Sequence, residues 1–183
     1  MIRLASASKS RALLLEHAGI DFVQTPIAYD EEAIVAMSPK NFVYQATMGK
    51  YEAAMGHFGI KQMPLLVADS VVTSQGQILR KARCEEEARN ILMTQSGSET
   101  AIITCMIYRA KTHQLIDISA THYRFDPFDM DALDRYLASG EWRGKAGACM
   151  VEGFCRPYIR EVRGNESTAM GLNVELLGAF LEL

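Results

Sequence analysis

Apolar and polar positions follow two different periods along this chain. Residues 65–73, 100–109 and 115–125 are rich in apolar and β-branched side chains, which is typical of strands inside a sheet. Elsewhere, apolar positions recur every three or four residues, which predicts amphipathic helices. The predicted helices cover residues 12–18, 39–57, 85–94, 129–139 and 172–183, and shorter strands are predicted at 2–5, 21–25, 149–154 and 157–162.

The ends of the predicted helices carry the residues that helix ends require. Ser8 and Ser38 stand where the first two helices need an N-cap. Gly19 and Gly140 stand where two helices end. The strands 100–109 and 115–125 are close enough in sequence to form an antiparallel hairpin. Helices interleaved with strands of both kinds predict an α/β fold with a mixed β-sheet flanked by helices.

Composition indicates one domain, which we expect to cover residues 1–183. Hydrophobic residues make up 49% of the chain and the net charge is −3, which gives no electrostatic basis for binding a nucleic-acid polymer. We expect no membrane span and no signal peptide, because the apolar runs are short. The four cysteines are interpreted as reduced thiols of a cytoplasmic protein. Cys149 and Cys155 are nevertheless close enough in sequence to pair or to share a metal.

An aspartate interrupts the most apolar predicted strand. Asp69 follows four apolar residues and precedes a β-branched run. A carboxylate in such a strand is either a cap at a turn or a functional group, and the local pattern does not decide between them.

Two cations, Arg11 and Lys50, lie at positions that allow either a structural or a functional interpretation. Ser8 and Arg11 lie where a short strand enters a helix, a geometry that binds anions but is also an ordinary capped helix start. Lys50 belongs to the apolar stripe of the long helix. Its ammonium either reaches past the stripe to solvent or points into a polar site.

Polar residues at element ends suit an anionic, metal-complexed substrate such as a nucleoside triphosphate. Cations and backbone N–H groups bind phosphate oxygens, one carboxylate can bind Mg²⁺, and a second can activate water. The chain has no Gly-rich lysine loop of the kind found in kinases and P-loop ATPases. The residues concerned are Ser8, Ser10, Arg11, Glu31, Lys50, Asp69 and Lys81.

A series of short motifs resembles the Maf proteins, in order and over nearly the whole chain. The segment Ala68-Asp69-Ser70-Val71-Val72 resembles their Ala-Asp-Thr-Val-Val signature. The other matching segments are Leu4-Ala5-Ser6-Ala7-Ser8, Asp30-Glu31, Lys50-Tyr51, Lys81, Ser139-Gly140-Glu141, Lys145-Ala146-Gly147-Ala148 and Gly171-Leu172.

The resemblance implies a metal-dependent nucleoside triphosphate pyrophosphatase. Such enzymes cleave between the α- and β-phosphates, use a divalent cation such as Mg²⁺ or Mn²⁺, and remove modified or excess nucleotides from the cytoplasmic pool. The resemblance also implies an elongated α/β fold with two lobes around a central cleft, and often a homodimer. The alternative is a non-catalytic nucleotide-binding regulator of cell division and septum formation.

The family's functional residues are carried over by position. Asp69 is expected to accept a proton from the attacking water, and Glu31 is expected to hold the metal. Four residues are expected to bind the triphosphate, namely Ser8, Arg11, Lys50 and Lys81.

The chain departs from the family's motifs at positions that matter for the substrate. One arginine of the family's Pro-Arg-Arg is absent from Lys9-Ser10-Arg11. The three positions that set base preference in the family are Ser10, Ser70 and Glu152 here. Glu152 favours a guanine-type base such as that of 7-methyl-GTP, because a carboxylate accepts from the ring N–H and the exocyclic amine together.

Overall fold

The computed structural model describes residues 1–30, 34 and 38–182 of the chain. Its strands are β1 (Ile2–Leu4), β2 (Phe22–Gln24), β3 (Leu65–Ser74), β4 (Gln77–Leu79), β5 (Glu99–Arg109), β6 (Gln114–Phe125) and β7 (Ile159–Arg163). Its α-helices are α1 (Lys9–His17), α2 (Pro39–Phe58), α3 (Glu85–Gln95), α4 (Met130–Ser139), α5 (Glu166–Ala169) and α6 (Val174–Leu181).

The strands form one mixed sheet. Its order is β2-β1-β3-β5-β6-β7, with β4 paired to β3. β1 runs parallel to both β2 and β3, whereas the β3–β4 and β6–β7 pairs are antiparallel. The prediction of an α/β fold with a mixed sheet flanked by helices is therefore confirmed.

Side-chain caps begin the helices where the sequence predicts them. The Ser8 hydroxyl accepts the backbone N–H of Arg11 at 3.3 Å, and the Ser38 hydroxyl accepts that of Asn41 at 3.3 Å. Gly140 ends α4 with φ +73°, a conformation that glycine adopts without steric cost. These caps fix the first turns of α1 and α2.

The chain divides into two compact units. The first consists of Met1–Ser70, Ile103–Ser119 and Asn165–Leu183. Within it, β3 presents alternate side chains to opposite faces. Leu66 and Ala68 pack with Ala12 of α1, while Leu65 and Val67 pack with Ala54 of α2.

The second unit consists of Val71–Ile102 and Ala120–Gly164. Aromatic side chains pack together in it: the ring of Phe128 lies 5.2 Å from that of Phe154 and 5.0 Å from that of Tyr158. Trp142 is almost completely buried, and its indole N–H donates to the carbonyl of Leu137 at 2.9 Å. These contacts hold the end of α4 against the following loop.

One sequence-based prediction in the last third of the chain is wrong. Residues 149–154 form turns rather than a strand, with the N–H groups of Gly153 and Cys155 both donating to the carbonyl of Met150. The predicted strand 157–162 is present as β7, which begins at Ile159 after a turn of 3₁₀ helix, and the short helix α5 follows it. Apolar alternation alone does not distinguish a strand from successive turns.

The expectation of four reduced thiols is wrong for one pair. Cys149 and Cys155 are joined by a disulfide, since the turn between them brings their Cα atoms to 6.4 Å. Cys84 and Cys105 are free thiols. Burial raises the pKa of the Cys105 thiol to about 11, so this group stays protonated at neutral pH.

Across residues 1–30, 34 and 38–182, no helix is both long enough and apolar enough to cross a membrane.

Candidate active site

The alternation of β3 sends two consecutive polar residues to opposite sides of the strand. Asp69 meets Lys50 of α2, and Ser70 meets Arg11 of α1. Both contacts lie in the first unit. The Asp-Ser pair at the end of a buried run therefore connects the strand to two helices.

The Asp69 carboxylate is buried and held in one orientation. Its Oδ1 accepts the backbone N–H of Ser70 at 2.9 Å, and its Oδ2 lies 3.1 Å from the Lys50 ammonium nitrogen. Apart from this ion pair, Oδ2 has no hydrogen-bond partner among the described residues. Oδ2 therefore keeps a lone pair with which to accept a proton.

Lys50 reaches Asp69 because α2 buries the stripe that carries it. Val43, Ala46 and Ala54 are fully buried on this helix, and Lys50 follows Ala46 by four residues, so the two share a helix face. The Lys50 side chain is only 16% exposed. Of the two alternatives for this lysine, the polar site is the one the structure supports.

Arg11 donates hydrogen bonds to three separate segments of the chain. Its Nε donates to the carbonyl of Gly171 at 2.8 Å. Its Nη1 donates to the Ser6 hydroxyl and its Nη2 to the Ser70 hydroxyl, both at 3.2 Å. The guanidinium plane is consequently fixed relative to β3 and to the start of α1.

Gly171 is adapted to this contact. Its φ is +109°, and a Cβ on this residue would lie 3.1 Å from Arg11 Nε. Any side chain there would need both a strained backbone and a displaced guanidinium.

Ser70 also contacts a buried threonine. Its hydroxyl oxygen lies 2.9 Å from that of Thr104 on β5, and the Thr104 hydroxyl donates to the carbonyl of Thr168 at 2.7 Å. Thr104 is completely buried and Thr168 nearly so.

The start of α1 combines its cap with a loop contact. Gln24 donates its side-chain N–H to the carbonyls of Ser6 and Ser8, at 2.8 and 3.2 Å. The Ser8 hydroxyl accepts the Arg11 N–H and keeps its own proton for donation. Ser10 lies in the first turn of the same helix and is half-buried.

The predicted site residues of the second unit, Lys81 and Glu152, lie at the surface. The backbone of Lys81 forms an isolated bridge with Ala146, while its side chain is exposed. The neighbouring Gly147 donates its N–H toward the carbonyl of Leu79 at 3.1 Å, and its own carbonyl accepts from Gln95 at 2.7 Å. The backbone around Lys81 is thus fixed although its side chain is not buried.

Glu152 is an exposed residue of the turn that the disulfide closes. Two residues later, the ring of Phe154 stacks on Tyr136 with centroids 4.5 Å apart. Tyr136 donates to the buried carbonyl of Ala148 at 3.0 Å. Its burial, with smaller contributions from Glu141 and Glu152, raises its pKa to about 12.

Glu31, the predicted metal ligand, lies outside the described residues. Among the residues that are described, no group of three or more His, Cys, Asp or Glu side chains forms a metal cluster. Asp69 Oδ2 accepts no hydrogen bond from a described residue and lies 3.1 Å from the Lys50 ammonium nitrogen.

Three residues that this geometry uses have no predicted role in the sequence. Ser6 and Gly171 accept hydrogen bonds from Arg11, and Thr104 binds Ser70. The available signal for Thr104 was its isolation as a polar residue inside the apolar run 101–108. Ser6 and Gly171 lie in segments that match the Maf motifs, but nothing local to them marks either as a partner of Arg11.

A family model described as Maf-like protein matches residues 1–183. The chain belongs to the Maf family. Among its relatives is a nucleoside triphosphate pyrophosphatase of a Nitratiruptor species, which is 55% identical over 179 residues, covering 97% of this chain and 96% of that protein.

Two more distant Maf relatives carry the same name. The nucleoside triphosphate pyrophosphatase of Helicobacter pylori (strain J99 / ATCC 700824) is 39% identical over 177 residues, covering 96% of this chain and 93% of that protein. The nucleoside triphosphate pyrophosphatase of Campylobacter jejuni subsp. jejuni serotype O:23/36 (strain 81-176) is 36% identical over 183 residues, covering 99% of this chain and 100% of that protein.

Proposed function

We propose that this Maf-family protein hydrolyses nucleoside triphosphates to the monophosphate and pyrophosphate. The observation that carries the proposal is the buried Asp69 carboxylate, fixed through Oδ1 and able to accept a proton at Oδ2. The names of relatives that align along almost the whole chain support the same reaction.

Asp69 acts as the general base in this proposal. Oδ2 takes one proton from a water molecule, and the water oxygen forms a new bond to the α-phosphorus. The bond from the α-phosphorus to the bridging oxygen breaks, and pyrophosphate leaves with the bonding electrons. The Lys50 ammonium beside Oδ2 attracts the negative charge of the carboxylate and holds it at the site.

Cationic and hydroxyl groups bind the phosphate oxygens. Arg11 supplies a planar guanidinium, Lys50 and Lys81 supply ammonium groups, and Ser8 supplies a hydroxyl at the start of α1. The free N–H groups and dipole of that helix start add to the attraction for an anion.

A divalent cation, Mg²⁺ or Mn²⁺, is proposed as the cofactor. The residues fit this group, since Mg²⁺ is commonly held by one or two carboxylates together with substrate phosphates. Glu31 would hold the ion together with phosphate oxygens of the substrate, which leaves Asp69 Oδ2 for the proton of the attacking water. When bound, the cation would neutralise charge on the phosphates and make the α-phosphorus easier to attack.

Base preference is proposed to depend on Ser10, Ser70 and Glu152. The exposed carboxylate of Glu152 favours a guanine-type base, including that of the modified nucleotide 7-methyl-GTP. Removal of modified or excess nucleotides from the pool follows as the proposed role.

Two further properties are proposed with this role, a cytoplasmic location and a homodimer. The disulfide between Cys149 and Cys155 removes one ground for the location, because stable disulfides are rare in the cytosol. The proposal of a cytoplasmic location therefore rests on the location of the proposed substrates, the nucleoside triphosphates of the cytoplasmic pool. Light scattering of the purified protein measures the oligomeric state.

The test is a screen of the purified protein against the common nucleoside and deoxynucleoside triphosphates, with 7-methyl-GTP, dTTP and UTP included. We expect equimolar pyrophosphate and monophosphate with Mg²⁺ or Mn²⁺, and no product after chelation. Release of inorganic phosphate and a diphosphate would contradict the proposed bond. Nucleotide binding without any product would favour the non-catalytic regulator instead.

A further inference from the structure

Five hydrogen bonds join Arg11 and four other residues into a closed circuit. Arg11 donates to the Ser70 hydroxyl and to the Gly171 carbonyl. Ser70 contacts Thr104, Thr104 donates to the Thr168 carbonyl, and the Gly171 N–H donates to that same carbonyl at 3.1 Å. The bonds form a closed ring within the first unit, which we call the Arg11 ring.

The direction of every proton in the Arg11 ring follows from the donor inventory. Thr104 has a single hydroxyl proton, and it is committed to the Thr168 carbonyl. Thr104 can therefore only accept from Ser70. The Ser70 hydroxyl in turn donates to Thr104 and accepts from Arg11.

The commitment of the Ser70 proton limits what this residue can do for a substrate. A hydroxyl that donates to Thr104 has no proton left for a carbonyl oxygen of a nucleobase. The Ser70 oxygen has two lone pairs, and one of them already accepts the Arg11 N–H. Toward a ligand, this hydroxyl can therefore act only as an acceptor. The ring thus uses Ser70 to hold the guanidinium.

We propose that Thr104 is a positioning residue that acts through Ser70 to hold the Arg11 guanidinium for the phosphates of the substrate. Thr104 is fully buried and cannot reach a ligand itself. It fixes the Ser70 hydroxyl, and that hydroxyl fixes one arm of Arg11. The inference rests on the proposed function, and it gives Ser70 a role in phosphate binding beside the base preference proposed for it.

The chain provides a matched control on the same strand. Thr100 is also buried on β5, 1% exposed, but no described residue forms a hydrogen bond with its hydroxyl. Thr104→Val and Thr100→Val make the same chemical change. Only the first of them breaks the Arg11 ring.

The probe is inorganic tripolyphosphate, which carries the phosphates of the substrate without its base. Calorimetry with wild type, Thr104→Val, Ser70→Ala and Thr100→Val measures its affinity. We expect Thr104→Val and Ser70→Ala each to weaken binding about tenfold, the loss of roughly one hydrogen bond to a charged group. Thr104→Ser keeps the hydroxyl and is expected to bind within about twofold of wild type, as is Thr100→Val.

Steady-state kinetics provide a second readout. Thr104→Val is expected to raise KM about tenfold and to change kcat less than about twofold, because a bound phosphate is held equally in the ground and transition states. In an Arg11→Lys background, Thr104→Val should have no further effect on KM, since the residue through which it acts is gone.

The outcomes separate this inference from the proposed function. Pyrophosphate release by wild type, with tripolyphosphate binding unchanged in Thr104→Val and Ser70→Ala, overturns the inference and leaves the function standing. If Thr104→Val and Ser70→Ala bind tripolyphosphate more weakly but wild type releases no pyrophosphate, the inference stands and the proposed function is overturned. If Thr104→Val does not fold, as thermal unfolding will show, the half-buried Ser70→Ala decides alone. Equal losses in Thr100→Val, or no binding by wild type, also overturn the inference.

Discussion

The two units of this protein hold their predicted functional residues in different ways. In the first unit, Asp69 and Arg11 are side chains fixed by buried partners and by backbone groups. In the second unit, the backbone near Lys81 and Glu152 is fixed, but both side chains are exposed. One region has its side chains preorganised, and the other has exposed charges on a defined backbone.

The difference assigns different energetic roles to the two regions. A side chain already held in place loses no further rotamer entropy when the substrate binds, and it is suited to the reacting bond. An exposed side chain must be ordered by the ligand, and its charge is screened by water and salt. We therefore expect substitutions in the first unit to have larger effects than comparable substitutions in the second.

The largest effect is expected from Asp69→Asn. The amide has nearly the same shape but cannot accept the proton, so kcat should fall about 10²- to 10⁴-fold, and the loss of the ion pair with Lys50 should lower the midpoint of thermal unfolding. Stopped-assay pyrophosphate release and thermal unfolding measure the two quantities. Asp117→Asn on β6 is the control, because Asp117 accepts hydrogen bonds from Ser119 and Asn173 that an amide oxygen still accepts. Full turnover by Asp69→Asn would rule out the proposed base.

An exchange of cations compares the two units directly. Arg11→Lys keeps the charge but loses the planar fork that bonds Gly171 and Ser70, so kcat/KM should fall about 10- to 100-fold. Lys81→Arg keeps an exposed charge and should change kcat/KM less than about threefold. Both are measured at two salt concentrations. Equal losses in the two variants would remove the distinction between the units.

A smaller and more specific effect is expected from Glu152→Gln. The amide can donate to a carbonyl oxygen, so preference should shift from guanine-type toward pyrimidine triphosphates by about tenfold. The ratio of kcat/KM for 7-methyl-GTP and for UTP measures the shift. Glu161→Gln on the exposed strand β7 is the control. An unchanged ratio in Glu152→Gln would rule out the Glu152 carboxylate as the group that selects a guanine-type base.

The smallest effect is expected from Tyr136→Phe in the second unit. The pKa of Tyr136 is raised from 10.0 to about 12, chiefly by burial. Because the folded protein holds this proton more tightly than the unfolded chain, its contribution to stability is complete below pH 10 and is lost between about pH 10 and 12. Tyr136→Phe should remove that pH dependence and cost about 1 kcal/mol at neutral pH, since the Ala148 carbonyl loses its donor. Denaturant unfolding from pH 8 to 12 checks both expectations.

Local chemistry made much of this fold predictable. The apolar run that ends at Asp69 predicted β3, and the serines before α1 and α2 predicted their caps. Lys50 was detectable as a cation within an apolar stripe, because a helix places residues four apart on one face. These predictions depend on short-range periodicity and on the steric and hydrogen-bonding rules of helix ends.

The remaining features depend on contacts between distant segments. Residues 149–154 have the apolar content of a strand but form turns closed by a disulfide. Thr104 meets Ser70 across neighbouring strands, and Gly171 meets Arg11 from 160 residues away. No pattern along the chain specifies such partners, so the residues that support the predicted site emerge only from the folded structure. The cleft and the metal ligand implied by the resemblance stay predictions.

In the proposed reaction, a base in the first unit directs water to the α-phosphorus. Hydrolysis of a triphosphate by the wild-type protein in oxygen-18 water, with the products resolved by mass spectrometry, shows which phosphorus the water attacks. We expect one oxygen-18 atom in the nucleoside monophosphate and none in pyrophosphate, and loss of both products in Asp69→Asn. Oxygen-18 in pyrophosphate, or a diphosphate with labelled inorganic phosphate, would contradict the proposed reaction.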